Sequence, residues 1–156
     1  MLEPHGSHAG QSLAVCLGRP YLGGMTAHLD NPATAAAPFG DRFAHVARLD
    51  SLLLLSGQVA VDDTGRVVAP GDAGAQAERI FEIIRDILAG YGATLAAVVH
   101  LRTFMTNLDD LSAYAVVRRR LFPADGRTLP PASTTVEVSR LFLPGAVLEV
   151  EVTASY

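Results

Sequence analysis

The chain has 156 residues, of which 49% are hydrophobic and 18% charged, a size and composition that fit one globular domain with its own core. Sixteen acidic and twelve basic residues give a formal net charge of −4, which disfavours binding to nucleic acid or anionic membranes, since such proteins usually carry a basic excess. The chain has no lysine, which excludes Schiff-base chemistry, and its single cysteine, Cys16, cannot form an internal disulfide, so we expect a reducing, cytoplasmic setting.

The N-terminal region, residues 1–37, is rich in Gly, Ala, Pro and His and lacks the periodicity of a helix or a strand. We therefore expect a flexible arm, followed by a single domain over residues 38–156. The longest mixed apolar run of the arm, residues 13–17, is shorter than the ~7–15 residues of a signal-peptide core. No stretch approaches the ~18 apolar residues of a membrane span, so we expect no membrane association.

The first half of the predicted domain contains short strands followed by a long helix. Residues 43–48 and 52–58 have the composition of strands, and a turn signal leads to a third short strand at 66–68. Asp72 can cap the next element, in which apolar residues recur at helical spacing over residues 77–91. This pattern predicts an amphipathic helix of about four turns.

The second half alternates strands with one more helix. A strand is predicted over residues 98–106, and a helix over 111–121 that ends before Pro123. Two final strands are predicted at 133–140 and 147–154. Because the helices lie between groups of strands, we expect an α+β fold in which two helices cover one face of a mixed sheet.

The last two strands alternate between apolar and polar side chains. In the final strand, Leu148, Val150 and Val152 are predicted to face the core. In the preceding strand the core face is predicted to carry Thr134, Val136 and Val138. The opposite face then carries small and acidic side chains: Ser133, Thr135, Glu137, Ser139, Val147, Glu149, Glu151 and Thr153. Two interpretations stay open, namely an ordinary solvated face and a subunit interface that encloses a polar pocket.

Several short motifs in this order resemble the Rid family of reactive-intermediate deaminases, also called YjgF-type proteins or L-PSP endoribonucleases. The resemblance covers about residues 38–156. It implies a chorismate-mutase-like α+β fold and a homotrimer with three clefts between neighbouring subunits. No metal-ligand spacing or phosphate loop is visible, so we expect no metal or cofactor. The motifs that carry the resemblance are Ser56-Gly57-Gln58, Asn107-Leu108-Asp109-Asp110, Phe122-Pro123, Pro131-Ala132, Val136-Glu137-Val138-Ser139-Arg140-Leu141, Gly145-Ala146 and Leu148-Glu149-Val150-Glu151.

The resemblance also implies a chemistry, the hydrolysis of small enamines and imines such as 2-aminoacrylate to a keto acid and ammonia. By position, Glu149 corresponds to the catalytic glutamate that places the attacking water. Ser56 and Gly57 correspond to the residues that line the substrate cleft. Phe43 stands at the family's tyrosine position, and Thr135 stands where a cysteine is common.

One position departs from the family pattern. Ser133 replaces the arginine that binds the substrate carboxylate in active members. Losing one partner of an enclosed charge pair costs about 2–5 kcal/mol, so we expect poor turnover of 2-aminoacrylate. Arg102, by strand parity, and Arg127, in the preceding loop, are candidates to replace it for substrate binding; the alternative is that both are plain surface or interface arginines.

Two further expectations concern titratable groups. His45 lies two residues after Phe43, near the expected cleft, where it is either a substrate-binding proton donor or acceptor or a structural histidine. For Glu149 we expect a raised pKa, from the repulsion of Glu151 and from burial in the cleft.

The function predicted from the sequence is therefore an atypical imine or enamine hydrolase that acts on a small molecule in an intersubunit cleft. The alternative is a non-catalytic trimer that binds a small metabolite or regulates a partner. A ribonuclease is disfavoured, because the chain is acidic and lacks a basic, aromatic surface.

Overall fold

The computed structural model describes residues 27–38, 42–124, 126 and 128–156. These residues form a six-stranded mixed sheet and two α-helices, which confirms the predicted α+β fold. The strand order is β1-β2-β3-β6-β4-β5, and every neighbouring pair is antiparallel except β4 and β5. The elements are β1 (His28–Asp30), β2 (Val46–Leu49), β3 (Leu52–Val59), α1 (Ala73–Ala89), β4 (Val98–Met105), α2 (Leu111–Leu121), β5 (Ala132–Glu137) and β6 (Leu148–Ser155).

Helix α1 begins at the predicted cap, where the Asp72 carboxylate accepts a hydrogen bond from the Ala75 N–H at 2.9 Å. Its apolar face is buried against β3, β6 and α2. Helix α2 has the predicted bounds, and its Tyr114 hydroxyl lies 3.0 Å from the Thr103 hydroxyl of β4. The core of the domain therefore lies between the two helices and one face of the sheet, as predicted. The buried residues of α1 are Ala73, Gln76, Ala77, Ile80, Phe81, Ile84, Ile87 and Leu88.

Residues 27–38 are part of the fold, although the sequence predicts a flexible arm up to residue 37. Strand β1 pairs with β2, and the Thr34 hydroxyl donates to the Asp86 carbonyl oxygen at 2.5 Å. A three-residue strand among Pro and Ala residues has no period that a sequence pattern could detect. The rest of the predicted arm, residues 1–26, lies outside the described residues.

The early strands also differ from the prediction. Residues 43–45 are not part of β2, which begins at Val46. The predicted strand at 66–68 is only a bridge between Val61 and Val67. Both segments, the chain before β2 and the turn at Asp62 after β3, line the cavity described below.

Strand β6 faces as predicted, with Leu148, Val150 and Val152 buried. The predicted faces of β5 are wrong. Ser133 pairs with Leu101, which is buried against the helices, and directly paired residues share a face of the sheet. The side chains of Ser133, Thr135 and Glu137 therefore lie on the helix side, and those of Thr134 and Val136 lie on the open face. The pattern misleads because β5 is an edge strand of small residues, in which alternation carries little hydrophobic signal.

The Gln76 side chain of α1 forms hydrogen bonds that hold the chain just before β6. This buried side chain donates to the carbonyl oxygens of Ala69 at 3.1 Å and Gly145 at 2.8 Å. Its own oxygen accepts from the Val147 N–H at 2.9 Å. Because buried backbone groups without a partner are costly, this amide holds the chain that leads into β6 and hence the position of Glu149.

Candidate active site

A bulge in β3 brings Gly57 against Glu149. The pairing with β6 shifts between Leu55, which pairs with Val152, and Gln58, which pairs with Val150. Ser56 and Gly57 are the two residues within this irregularity. A Cβ atom at Gly57 would overlap the Glu149 Oε1 atom and lie 2.7 Å from its Cδ atom. Glycine is therefore needed at this position to leave room for the carboxylate.

Glu149 is half-buried on the open face of the sheet, and burial raises the pKa of its carboxyl, with repulsion by Glu151 as a second cause. Among the described residues, no group donates a hydrogen bond to this carboxylate. The expected rise in the pKa of Glu149 is thus confirmed in direction. Burial has the larger effect, and a physical reason is that the charge of Glu151 has its own partner.

That partner is Arg102, whose guanidinium lies 2.6 Å from the Glu151 carboxylate across the β4–β6 pair. The strand parity placed Arg102 away from the core, and it does lie on the open face. The ion pair is largely exposed, and such a pair contributes only ~0–1 kcal/mol to stability. Within one chain, however, the Arg102 guanidinium is already paired with the Glu151 carboxylate and is not free to bind the carboxylate of a substrate.

His45 is buried, and both of its ring nitrogens have protein partners. Its Nε2 atom lies 2.8 Å from the Ala36 carbonyl oxygen, which can only accept, so Nε2 carries the proton. Its Nδ1 atom lies 3.5 Å from the Gln58 amide nitrogen, and its backbone N–H donates to the Asn31 side chain at 2.7 Å. His45 therefore ties the segment 35–38 to the sheet.

A cavity of about 130 Å³ lies beside this segment, between the end of β3 and helix α1. It contains three of the residues predicted for the site, Phe43, His45 and Gly57. Gly57 also contacts Glu149, so it connects the cavity to the carboxylate. The remaining lining residues are Ala35, Ala36, Ala37, Pro38, Gln58, Val59, Val61, Asp62, Asp63, Arg79, Ile83, Asp86 and Phe142.

Comparison with known proteins identifies the fold and the family. A family model described as Endoribonuclease L-PSP matches residues 33–156. The chain belongs to the Rid family. This Rid chain is 30% identical to the 3-aminoacrylate deaminase RutC of Acinetobacter baylyi over 108 residues, which are 69% of this chain and 82% of that protein.

Two further similar proteins support the assignment to the Rid family. The chain is 33% identical to the RutC family protein PM1466 of Pasteurella multocida over 115 residues, which are 73% of this chain and 84% of that protein. The solved structure of the Rid-family protein YyfA from Yersinia pestis matches this chain with a TM-score of 0.74 and 27% sequence identity. The match covers 84% of this chain and 100% of that chain.

The predicted Rid site residues fall into two groups. Phe43, His45 and Gly57 line the cavity, and Glu149 lies against Gly57 on the open face of the sheet. The Ser56 hydroxyl, next to Gly57, donates to the Ala44 carbonyl oxygen at 2.7 Å. Ser133 and Thr135 lie on edge strand β5, which β4 separates from β6. Strands are spaced about 4.8 Å apart, so this second group lies roughly 10 Å from β6 within the same sheet. Arg127 lies outside the described residues.

The sequence reasoning did not find the α1 wall of the cavity in this Rid chain. Arg79 and Asp86 lie on the polar side of an amphipathic helix, where a sequence pattern indicates solvent. The one feature of the sequence that pointed to this wall was the turn at Asp62. In the structure this turn contacts α1, because the Arg79 Nε–H donates to the Val61 carbonyl oxygen, next to Asp62, at 2.8 Å.

Within residues 27–38, 42–124, 126 and 128–156, no group of three or more His, Cys, Asp or Glu side chains is placed to hold a metal ion. In the same part of the chain, neither helix has the length and apolar character needed to cross a membrane.

Proposed function

We propose that this Rid-family chain hydrolyses a small imine or enamine to a carbonyl compound and ammonia. The observation that carries the proposal is the Glu149 carboxylate, which is half-buried, has no donor among the described residues and occupies the space that Gly57 leaves open. The relative named 3-aminoacrylate deaminase RutC supports a deaminase of this class.

The reaction needs little more than a positioned water. The Glu149 carboxylate accepts a hydrogen bond from water and orients its lone pair towards the carbon of a protonated imine. As the C–O bond forms, the carboxylate takes the proton of the water, and the raised pKa of Glu149 suits this exchange. The same proton then passes to the nitrogen, and the C–N bond breaks as the carboxylate takes the hydroxyl proton of the intermediate. Transfer of that proton to the departing ammonia gives ammonium and a carbonyl compound and restores the carboxylate.

The proposal extends to a homotrimer with clefts between subunits. Ser133 and Thr135 cannot approach Glu149 within one sheet, because β4 lies between their strand and β6. A second subunit can bring its β5 edge to the Glu149 side. Exposed apolar side chains on the open face, Leu54 at 43% and Val136 at 39%, are also typical of a covered surface.

The expected result in solution is a particle of three times the 16.4 kDa chain mass. Covering the apolar side chains of the open face provides the driving force for this assembly. Static light scattering coupled to size exclusion measures the mass directly. A stable monomer at micromolar concentration would contradict both the trimer and an intersubunit cleft.

A second candidate function is binding without turnover, and Ser133 is the observation that favours it. A serine cannot form the bidentate contact that an arginine forms with a carboxylate. Freshly generated imines distinguish the two functions, because a binding protein leaves the rate of ammonia release at the spontaneous value.

For 2-aminoacrylate, we expect ammonia release at or near the spontaneous rate, since no arginine stands at position 133. Ser133→Arg should raise the rate about tenfold or more, as a partnered carboxylate is worth about 2–5 kcal/mol. Ser112→Arg is the matched control, because it makes the same substitution at an exposed position of helix α2, away from the open face of the sheet, and should leave the rate unchanged. Robust wild-type turnover would show that another group binds the carboxylate.

A further inference from the structure

The charges around the cavity indicate which substrates it favours. Among the described lining residues, Arg79 carries the only full positive charge. Its guanidinium already contacts the Val61 carbonyl oxygen at 2.8 Å, Asp63 at 3.5 Å and Glu82 at 3.3 Å. Three of the five N–H donors of Arg79 are thus engaged, and two carboxylates already offset its charge, which weakens its attraction for a substrate carboxylate.

Negative groups are in excess at the same place. Asp86 lines the cavity, and no described side chain pairs with its carboxylate. Glu149 has no described donor, and Asp63 shares Arg79 with Glu82. In a partly buried site, two like charges 4 Å apart repel by about 4 kcal/mol at an effective dielectric constant of about 20. A carboxylate is therefore repelled at this site and a cation attracted.

The shape of the cavity adds a second constraint. Its neutral walls are mostly apolar, with Phe43, Val59, Ile83 and Phe142 among them. A volume of about 130 Å³ is close to the roughly 150 Å³ of a protein cavity that binds benzene. The space thus suits an apolar group of a few carbon atoms.

We propose that the substrate is a cationic imine without a carboxylate, R–CH=NH₂⁺, in which R is a small apolar group. This inference rests on the proposed imine hydrolysis and names its substrate class. The apolar group enters the cavity, and the iminium lies at Gly57 beside the Glu149 carboxylate. Water adds to the carbon, the C–N bond breaks, and the products are the aldehyde R–CHO and ammonium.

The chemistry of such a substrate also indicates the preceding step. A primary ammonium R–CH₂–NH₃⁺ becomes R–CH=NH₂⁺ when a hydride leaves the carbon and a proton leaves the nitrogen. The reaction that supplies the substrate is therefore the two-electron oxidation of a primary amine by a flavin-dependent enzyme, in which the flavin accepts the hydride. The products are a reactive aldehyde and ammonium, so the reaction that follows is one that consumes an aldehyde.

A matched pair of imines tests this inference. Oxidation of 3-methylbutylamine by an amine oxidase and of leucine by an amino-acid oxidase gives imines with the same isobutyl group, which differ only in the carboxylate. Semicarbazide traps each imine, and the protein lowers the rate of semicarbazone formation by consuming it. We expect kcat/KM to be about tenfold or more higher for the amine-derived imine, a preference that corresponds to about 1.4 kcal/mol.

A charge variant adds a second readout. Asp86→Asn should narrow the preference about threefold, because it removes one repelling charge from the cavity wall. Asp109→Asn is the control, since it changes the net charge equally in the turn just before α2, outside the cavity lining. An unchanged preference in Asp86→Asn would contradict the electrostatic argument.

The outcomes separate this inference from the function on which it rests. Faster hydrolysis of the leucine-derived imine would overturn the substrate class and leave imine hydrolysis standing. If the protein accelerates neither imine above its spontaneous hydrolysis, the proposed function fails and this inference fails with it.

Discussion

Gly57→Ala should lower imine hydrolysis about 100-fold or more while the protein stays folded. The new Cβ atom would overlap the Glu149 carboxylate, so this side chain must rotate away from its position. A displacement of about 1 Å of a catalytic group costs on the order of 100-fold in rate. The backbone at Gly57 does not lie in the left-handed region, so alanine adds no backbone strain there. The measurement is kcat/KM on the best imine substrate.

Gly74→Ala is the matched control for this variant. Gly74 lies in α1, and a Cβ atom there would lie 3.4 Å from the nearest atom, a carboxylate oxygen of Asp72, which is an ordinary contact. We expect unchanged kcat/KM and an equal or higher unfolding temperature, because alanine favours a helix over glycine by about 1 kcal/mol. If Gly57→Ala keeps wild-type kcat/KM, the carboxylate position observed here has no role in the reaction.

The secondary structure could be predicted where apolar residues repeat regularly over a long segment, and not where the segment is short. Helix α1 and strand β6 each carry a clear period, of 3.6 and 2 residues, and both were predicted within a few residues of their bounds. Strand β1 has only three residues, of which Leu29 is exposed, so no buried face marks it. In β5, Ser133 and Thr135 pair with buried residues of β4 although they are small and polar, which reversed the predicted faces.

The candidate site shows the same division between local and tertiary information. The contact of Gly57 with Glu149 joins two positions that the family resemblance had already singled out. The opposite wall, with Arg79 and Asp86, comes from the packing of α1 beside the segment 35–38. No local pattern encodes this packing, because it depends on where His45 and Thr34 anchor that segment.

Glu149→Gln should abolish imine hydrolysis, with a loss of about 10²–10⁴ in kcat, the usual worth of a general base. Glutamine keeps the shape of the side chain beside Gly57 and removes the charge that accepts the proton of the water. Ammonia release on the best imine substrate measures the effect, and light scattering checks that the assembly is unchanged. Wild-type turnover by this variant would mean that the reaction does not use the family mechanism.

Glu149→Gln should lower the activity but should not lower the stability of the folded protein. The pKa of Glu149 is raised above its ordinary value of 4.5 in the folded chain, so the folded state binds the proton more tightly than the unfolded state. Its contribution to stability is therefore fully present below pH 4.5 and is lost as the pH rises through the raised pKa. At pH 7, Glu149→Gln should unfold at an equal or higher temperature than the wild type, and this gain should vanish below pH 4.5.

The pH dependence of the wild-type rate follows from the same pKa. If the carboxylate is the active form, kcat/KM falls as the pH falls through the raised pKa of Glu149, so the acidic limb lies above that of an ordinary glutamate. Glu151→Gln removes the repulsion and frees Arg102, and both changes favour the charged form of Glu149. The limb should therefore move to lower pH, but only part of the way, because burial is the larger cause of the shift. An acidic limb that stays in place in Glu151→Gln would assign it to a group other than Glu149.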